Sequence, residues 1–134
     1  MKFDPELSAQ HMLELHAMSP FVPEATRIDL VGSMYINGEG NDYDYVVQVP
    51  DIEQGREAYL ADGYRSTGHD SGEEDLFETY RKGVVNIMLT EDLGFLAEFE
   101  RAAEVCKYVN GLVLNDARGG LTRDERIKIH RIIM

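Results

Sequence analysis

The chain has 134 residues, 43% hydrophobic and 28% charged, which suits one globular domain with its own core. Its 25 acids against 13 bases leave a formal charge of −12. That opposes nonspecific binding to a phosphate backbone, yet it leaves a nucleotide ligand open, because a divalent cation inverts the local field. A lone cysteine, Cys106, excludes an internal disulfide and fits a reducing cytoplasm. KFDPELSAQ has no apolar signal-peptide core, and no stretch is long enough to span a membrane.

In chain order, DPELSAQHMLELHAMSP reads as a helix, with Asp4 as N-cap, Pro5 in the first turn and Pro20 as its stop. Leu7, Met12, Leu15 and Met18 form its apolar stripe. His11 and His16 lie five apart, a poor spacing for a metal pair, so they are expected to be solvated or half-buried. RIDLV is a short strand running into a Gly32-Ser33 turn, NGEGN is a loop, and YDYVVQV is a second strand. Asp51 with Gln54 makes a capping box for a helix with Ile52, Tyr59 and Leu60 on its apolar side and Gly63 as its stop.

STGHDSGEED, residues 66–75, reads as a polar, mobile, solvated loop. DLFETYRKG and VVNIMLT are expected to pair antiparallel, turning near Lys82-Gly83. Phe95, Phe99, Ala102, Cys106 and Val109 repeat at helical spacing and place a helix over 92–109, with Cys106 as a small buried side chain. NDARGG is a loop. TRDE is a capping box opening a last helix with Ile127, His130 and Ile133 on one side. The expected fold is a single mixed α/β (α+β) domain over 1–134, a mixed sheet flanked by helices with a C-terminal helical segment.

The stretch NDYDYVV carries the chemistry. Residues two apart on a strand share a face, so Asp42 and Asp44 project side by side, their Cβ atoms about 7 Å apart, while Tyr43, Tyr45 and Val47 point the other way. Uncompensated, two such anions cost several kcal/mol in repulsion and desolvation, and Mg²⁺, which takes one or two carboxylates plus phosphate oxygens, would offset that. Gly32-Ser33, nine residues upstream of the first aspartate and more, offers a glycine for close backbone approach and a hydroxyl donor, both suited to phosphate.

A strand ending in Gly-Ser, a spacer of about ten residues and Asp-x-Asp on the next strand resembles the signature of the nucleotidyltransferase fold, the DNA polymerase β superfamily. GVVNIMLTED, FERAAEVCKYVNGL and TRDERIKIHRII are similar to segments of small nucleotidyltransferase-like proteins encoded by phages, which implies a host cytoplasm. The resemblance implies Mg²⁺ or Mn²⁺ on Asp42 and Asp44, triphosphate on Gly32 and Ser33, and in-line transfer of a nucleoside monophosphate from an NTP to a hydroxyl, releasing pyrophosphate. It also implies a third carboxylate on a later strand, and there the sequence has Asn86. An amide brings no charge and cannot act as a base; it is expected either to join the catalytic set with the aspartates or to serve as a buried hydrogen-bonding amide that fixes their rotamers. Glu91 or Asp92 would replace the missing acid if the strand end curls back. Arg27, Arg81, Lys82 and Lys107 are the bases expected nearest the site, each either a triphosphate clamp or a surface charge. The tyrosines are expected as core and strand filler, one of them available to stack on a base.

Two functions follow. One is a metal-dependent nucleotidyltransferase whose acceptor is an RNA end, a protein or a small molecule. The other is a catalytically degenerate relative that binds or inhibits a host protein, favoured by Asn86, small size and the negative charge. A nucleic-acid mimic is a third and weaker reading, since the acids are interspersed with core residues.

Overall fold

A computed structural model describes residues 1–68, 76–113 and 121–133. Helix α1 spans Pro5–Met18 and starts as its sequence dictates: the Asp4 side chain accepts from the N–H groups of Glu6 and Leu7, and a proline occupies the first turn. A 3₁₀ turn over Pro23–Ala25 leads to strand β1, Arg27–Val31. The expected Gly-Ser turn is longer than a turn. Gly32–Asn37 is a six-residue helix, α2, and Gly38 closes it in the left-handed region. Six residues are too few to show helical periodicity, so composition alone reads them as a turn.

Strand β2, Tyr43–Gln48, is followed by helix α3, Ile52–Ala61, capped by Asp51 through the N–H groups of Glu53 and Gln54. A two-residue strand β3, Arg65–Ser66, precedes strands β4, Glu78–Lys82, and β5, Val85–Thr90, which form the expected hairpin with Lys82 opposite Val85. Helix α4, Leu93–Val113, runs four residues past its expected end. Helix α5, Arg123–Ile133, opens on a reciprocal capping box: Thr122 Oγ1 accepts from the Glu125 N–H at 3.2 Å and Glu125 Oε1 from the Thr122 N–H at 3.0 Å. Most of the 66–75 loop and all of NDARGG lie outside the described residues.

The strands form one five-stranded sheet in the order β1-β2-β5-β4-β3. All pairs are antiparallel except β2 with β5, which are parallel. Alternation on the central strands divides the core. Tyr43, Tyr45 and Val47 join Leu15 of α1, Tyr59 of α3, Ile87 and Leu89 on one face. Val46 joins Val31, Leu96 and Ala103 on the other, with Met88 and Phe99 packed beside them. A third cluster, Ile36, Cys106 and Leu121 with Ile129, ties α2, α4 and α5 together, and Cys106 is fully buried there as expected.

Three expectations fail on burial. Met18, expected in the apolar stripe of α1, is exposed at the last position of that helix. His11 is not solvated or half-buried: it is only 7% exposed, and its Nδ1 lies 3.0 Å from the Tyr45 hydroxyl, a bond to a distant strand that helical spacing does not encode. Leu60, expected on the apolar side of α3, is 44% exposed, because α3 turns Tyr59 and Gly55 to the sheet instead. Among the described residues no helix is long and apolar enough to cross a membrane.

Candidate functional site

Asp42 stands one residue before β2 and Asp44 one residue inside it. Asp44 is in register with Asn86 on β5, so the parallel pairing sets their side chains on the same face. Asn86 Nδ2 donates to Asp44 Oδ1 at 3.0 Å. Half-buried Asn86 thus holds one oxygen of the aspartate. On Asp42, Oδ2 accepts from Arg81 Nη1 at 3.2 Å, and the same guanidinium donates through Nε to the Gly83 carbonyl at 3.0 Å. Arg81 reaches the site because β4 lies beside β5, one strand from the aspartates.

Gly32 shows why the Gly-Ser pair sits where it does. Its φ is +74°, and a Cβ built there would fall 2.2 Å from Asp44 Oδ2. Only glycine permits both the backbone conformation and the approach of the carboxylate. Gly40 plays the matching part for the serine: a Cβ there would fall 2.1 Å from Ser33 Oγ.

These residues line a cleft of about 760 Å³. Gly32, Ser33, Asp42, Asp44 and Asn86 all border it, so the five site residues read from the sequence come together in space. Burial pushes the Asp44 carboxyl above the usual carboxylate range. The Asn86 hydrogen bond opposes that, the charge of Asp42 adds to it, and Arg126 and Arg81 oppose it.

The bases sort differently from the sequence expectation. Only Arg81 of the four reaches the aspartates. Arg27 pairs with Glu100 at 3.6 Å, Lys82 with Asp62 at 3.1 Å, and the Lys107 ammonium lies over the Tyr35 ring at 4.4 Å. The positive charge on the cleft comes instead from Arg123 and Arg126 of α5. Their spacing in TRDER was visible, but nothing local indicated which surface that helix would meet.

Glu91 and Asp92 do not replace the missing carboxylate. They follow the C-terminal end of β5, whereas Asn86 sits near its start, roughly 16 Å away along an extended strand. Both acids serve as caps: Glu91 Oε2 accepts from the Ile52 N–H at 2.8 Å, and Asp92 Oδ1 from the Phe95 N–H at 2.9 Å. Among the described residues, no group of three His, Cys, Asp or Glu side chains is placed to hold a metal ion. The acidic donors that border the cleft beside Asn86 are the carboxylates of Asp42 and Asp44, and among the described residues they are not joined by a third to make a triad.

A Gly-Ser pair stands at the head of a short helix after β1 and faces Asp-x-Asp at the start of an antiparallel β2. The chain shares its fold with the conserved protein GrpB from Enterococcus faecalis, at 16% identity over 99% of this chain and 95% of that one, with a TM-score of 0.59. Looser similarity extends to a cytoplasmic RNA terminal U-transferase (14% identity, 84% of this chain and 40% of that one, TM-score 0.47). The Cid1 poly(U) polymerase is similar to the same degree (14% identity, 84% and 41%, TM-score 0.46). This chain spans about two-fifths of the length of those two, and at such TM-scores the alignments establish nothing further about it. Neither a protein-family model nor a curated protein matches the sequence.

Proposed function

We propose that the chain is a nucleotidyltransferase-like protein that binds a nucleoside triphosphate with Mg²⁺ or Mn²⁺ in this cleft and transfers the nucleoside monophosphate to a hydroxyl. The observation that supports it most is a half-buried carboxylate, Asp44, beside Asp42 at the border of an open cleft, with Gly32 shaped to admit it. Asp42 and Asp44 would hold the cation, and Gly32 and Ser33 the phosphates. When bound, the cation offsets the charge of the phosphate chain and of the two carboxylates together.

The chain's own residues prepare that site. Asn86 holds Asp44 in one rotamer, so the carboxylate loses little freedom on binding. Arg81 pairs with Asp42 through Oδ2, and Asp42 Oδ1 would be the oxygen open to a cation. Asn86 cannot accept a proton from an attacking hydroxyl, and no other carboxylate takes the third position among the described residues. The absence of a positioned base is worth about 10²–10⁴ in rate, so transfer is expected to be slow.

That same amide favours the second reading, a protein that keeps the fold, with or without nucleotide binding, and acts on a partner by binding it. The acceptor in the first reading is an RNA end, a protein or a small molecule; the partner in the second is a host protein if the chain is of phage origin. Calorimetric titration of ATP, GTP, CTP and UTP with Mg²⁺ or Mn²⁺ tests the common part. Binding to wild type that disappears in Asp42→Asn/Asp44→Asn supports both readings, and labelled-nucleotide transfer then separates them. Absence of binding by a folded wild type rejects the transferase reading and leaves the fold serving as a surface for a partner.

A further inference from the structure

The cleft has walls of opposite charge. Glu39, Asp42 and Asp44 border it from the β2 side, and Arg123 and Arg126 border it from α5. The two arginines are three residues apart on one helix, so their side chains lie on the same face. Arg27, Arg56 and Arg81 each find a carboxylate. Among the described residues, neither Arg123 nor Arg126 has an ion pair within the 4.0 Å limit, and neither side chain takes part in a hydrogen bond. The charged walls face one cleft without touching across it.

The arginines are held in place by structure that does not involve their own charges. The capping box of Thr122 and Glu125 fixes the first turn of α5. Asn110, only 3% exposed, donates to the Ile36 carbonyl at the end of α2 and accepts from the Leu121 N–H at 2.9 Å, locking α2, α4 and the start of α5 together. Ile129 of α5 packs against the Ile36–Cys106–Leu121 cluster. A rigid helix thus presents two unpaired guanidinium groups to a cleft whose opposite wall is acidic. An anion on the arginine side, bridged by a cation to the acidic side, satisfies both walls at once, and guanidinium geometry matches phosphate oxygens in a way an ammonium does not.

We propose that Arg123 and Arg126 form a phosphate-binding subsite on the α5 wall of the cleft. The proposal rests on the reading that the cleft takes a phosphorylated ligand, and it adds residues of the C-terminal helix to the Gly-Ser and Asp-x-Asp positions. The phosphate comes from one of two sources, the nucleotide's own chain or a phosphorylated acceptor.

The test uses the full chain and tripolyphosphate in EDTA, so that no cation is required. Wild type is expected to bind, and Arg123→Gln/Arg126→Gln to bind about tenfold more weakly or worse. Lys128→Gln/Arg131→Gln, the same charge change on exposed positions of α5, is expected to retain wild-type affinity. Asp42→Asn/Asp44→Asn is expected to bind at least as tightly as wild type, because repulsion from the acidic wall is relieved. Equal affinity in wild type and the Arg123/Arg126 variant, equal losses in both basic double variants, or no binding by folded wild type overturns the subsite. Failure of the metal–nucleotide reading is separate: it shows as Mg²⁺–NTP binding unaffected by the aspartate changes, whatever tripolyphosphate does. Glycerol phosphate then identifies the source. If Mg²⁺–ATP displaces it from the arginines, the nucleotide's phosphates occupy them. If both bind together, the subsite serves a phosphorylated acceptor, and the arginine assignment stands either way.

Discussion

The two faces of strand β2 carry alternate residues of one short run, yet they are built to opposite purposes. Tyr43 and Tyr45 point to the α1 face and are completely buried. Their hydroxyls are tied down: Tyr43 accepts from the Asp4 N–H at 2.9 Å, and Tyr45 meets Ser8 Oγ at 2.9 Å and His11 Nδ1 at 3.0 Å. Asp42 and Asp44 point to the cleft, where they are half-buried and meet only Arg81 and Asn86 among the described side chains. On the α1 face the two tyrosine hydroxyls each end in a bond inside the protein. On the cleft face two carboxylates retain oxygens free for a ligand. Polar groups that are closed within a core stabilise it, and polar groups left half-satisfied beside a cavity cost stability and are available for function.

That contrast is open to attack by substitution. The largest effect is expected at Asn86. If the protein transfers nucleotides, Asn86→Asp supplies the missing carboxylate on the cleft face and raises the labelled-nucleotide transfer rate by about 10²-fold or more. An unchanged rate in a variant that still binds Mg²⁺–NTP would show that the missing acid is not what limits transfer. Gly32→Ala comes next: a Cβ in the left-handed region, 2.2 Å from Asp44 Oδ2, displaces the carboxylate. It should cost about 1–3 kcal/mol in denaturant unfolding and abolish nucleotide binding.

The two faces should then part company. Tyr45→Phe leaves Ser8 and His11 without their buried partner and should lower unfolding free energy by about 1–3 kcal/mol while nucleotide affinity holds. Asp44→Asn should do the reverse. Burial already disfavours its ionised form, so the neutral isostere should raise the thermal midpoint while it removes metal-dependent binding. A destabilised Asp44→Asn or a binding-defective Tyr45→Phe would erase the distinction between the faces.

The smallest effect is on pH. Burial lowers the pKa of His11, which the nearby charge of Glu14 only partly offsets. The unfolded chain takes up a proton near the ordinary histidine value of about 6.5, and the folded chain does so only at lower pH. Folded stability is therefore present above that value and lost as pH falls through it toward the depressed folded pKa. His11→Gln should flatten part of that slope in thermal melts between pH 7 and 5. His130, also lowered by burial and by Arg126, accounts for a share of what remains.

How much of this was legible depends on how local its cause is. Asp4, Asp51 and the Thr122–Glu125 box cap helices through bonds two or three residues long, and all were readable from spacing. The Lys82-Gly83 turn and the repeat from Phe95 to Val109 are equally local. The α2 helix was not, since it is short and rich in residues that also make turns. The burial of His11 depends on a tyrosine 34 positions away.

The sequence by itself determined which residues of NDYDYVV share a face, because side-chain alternation is a property of the strand alone. It thereby placed Asp42 and Asp44 together and pointed to Gly32 and Ser33 as their neighbours. Only the tertiary structure decided what those aspartates meet. The parallel register of β2 and β5 set Asn86 against Asp44, the hairpin carried Arg81 to Asp42, and the packing of α5 against α2 and α4 delivered Arg123 and Arg126 to the same cleft. Glu91 and Asp92, close to Asn86 in sequence, were removed from the site because an extended strand carries its two ends apart and each acid caps a helix there. Contacts between elements depend on how whole faces pack, and no local spacing contains that information.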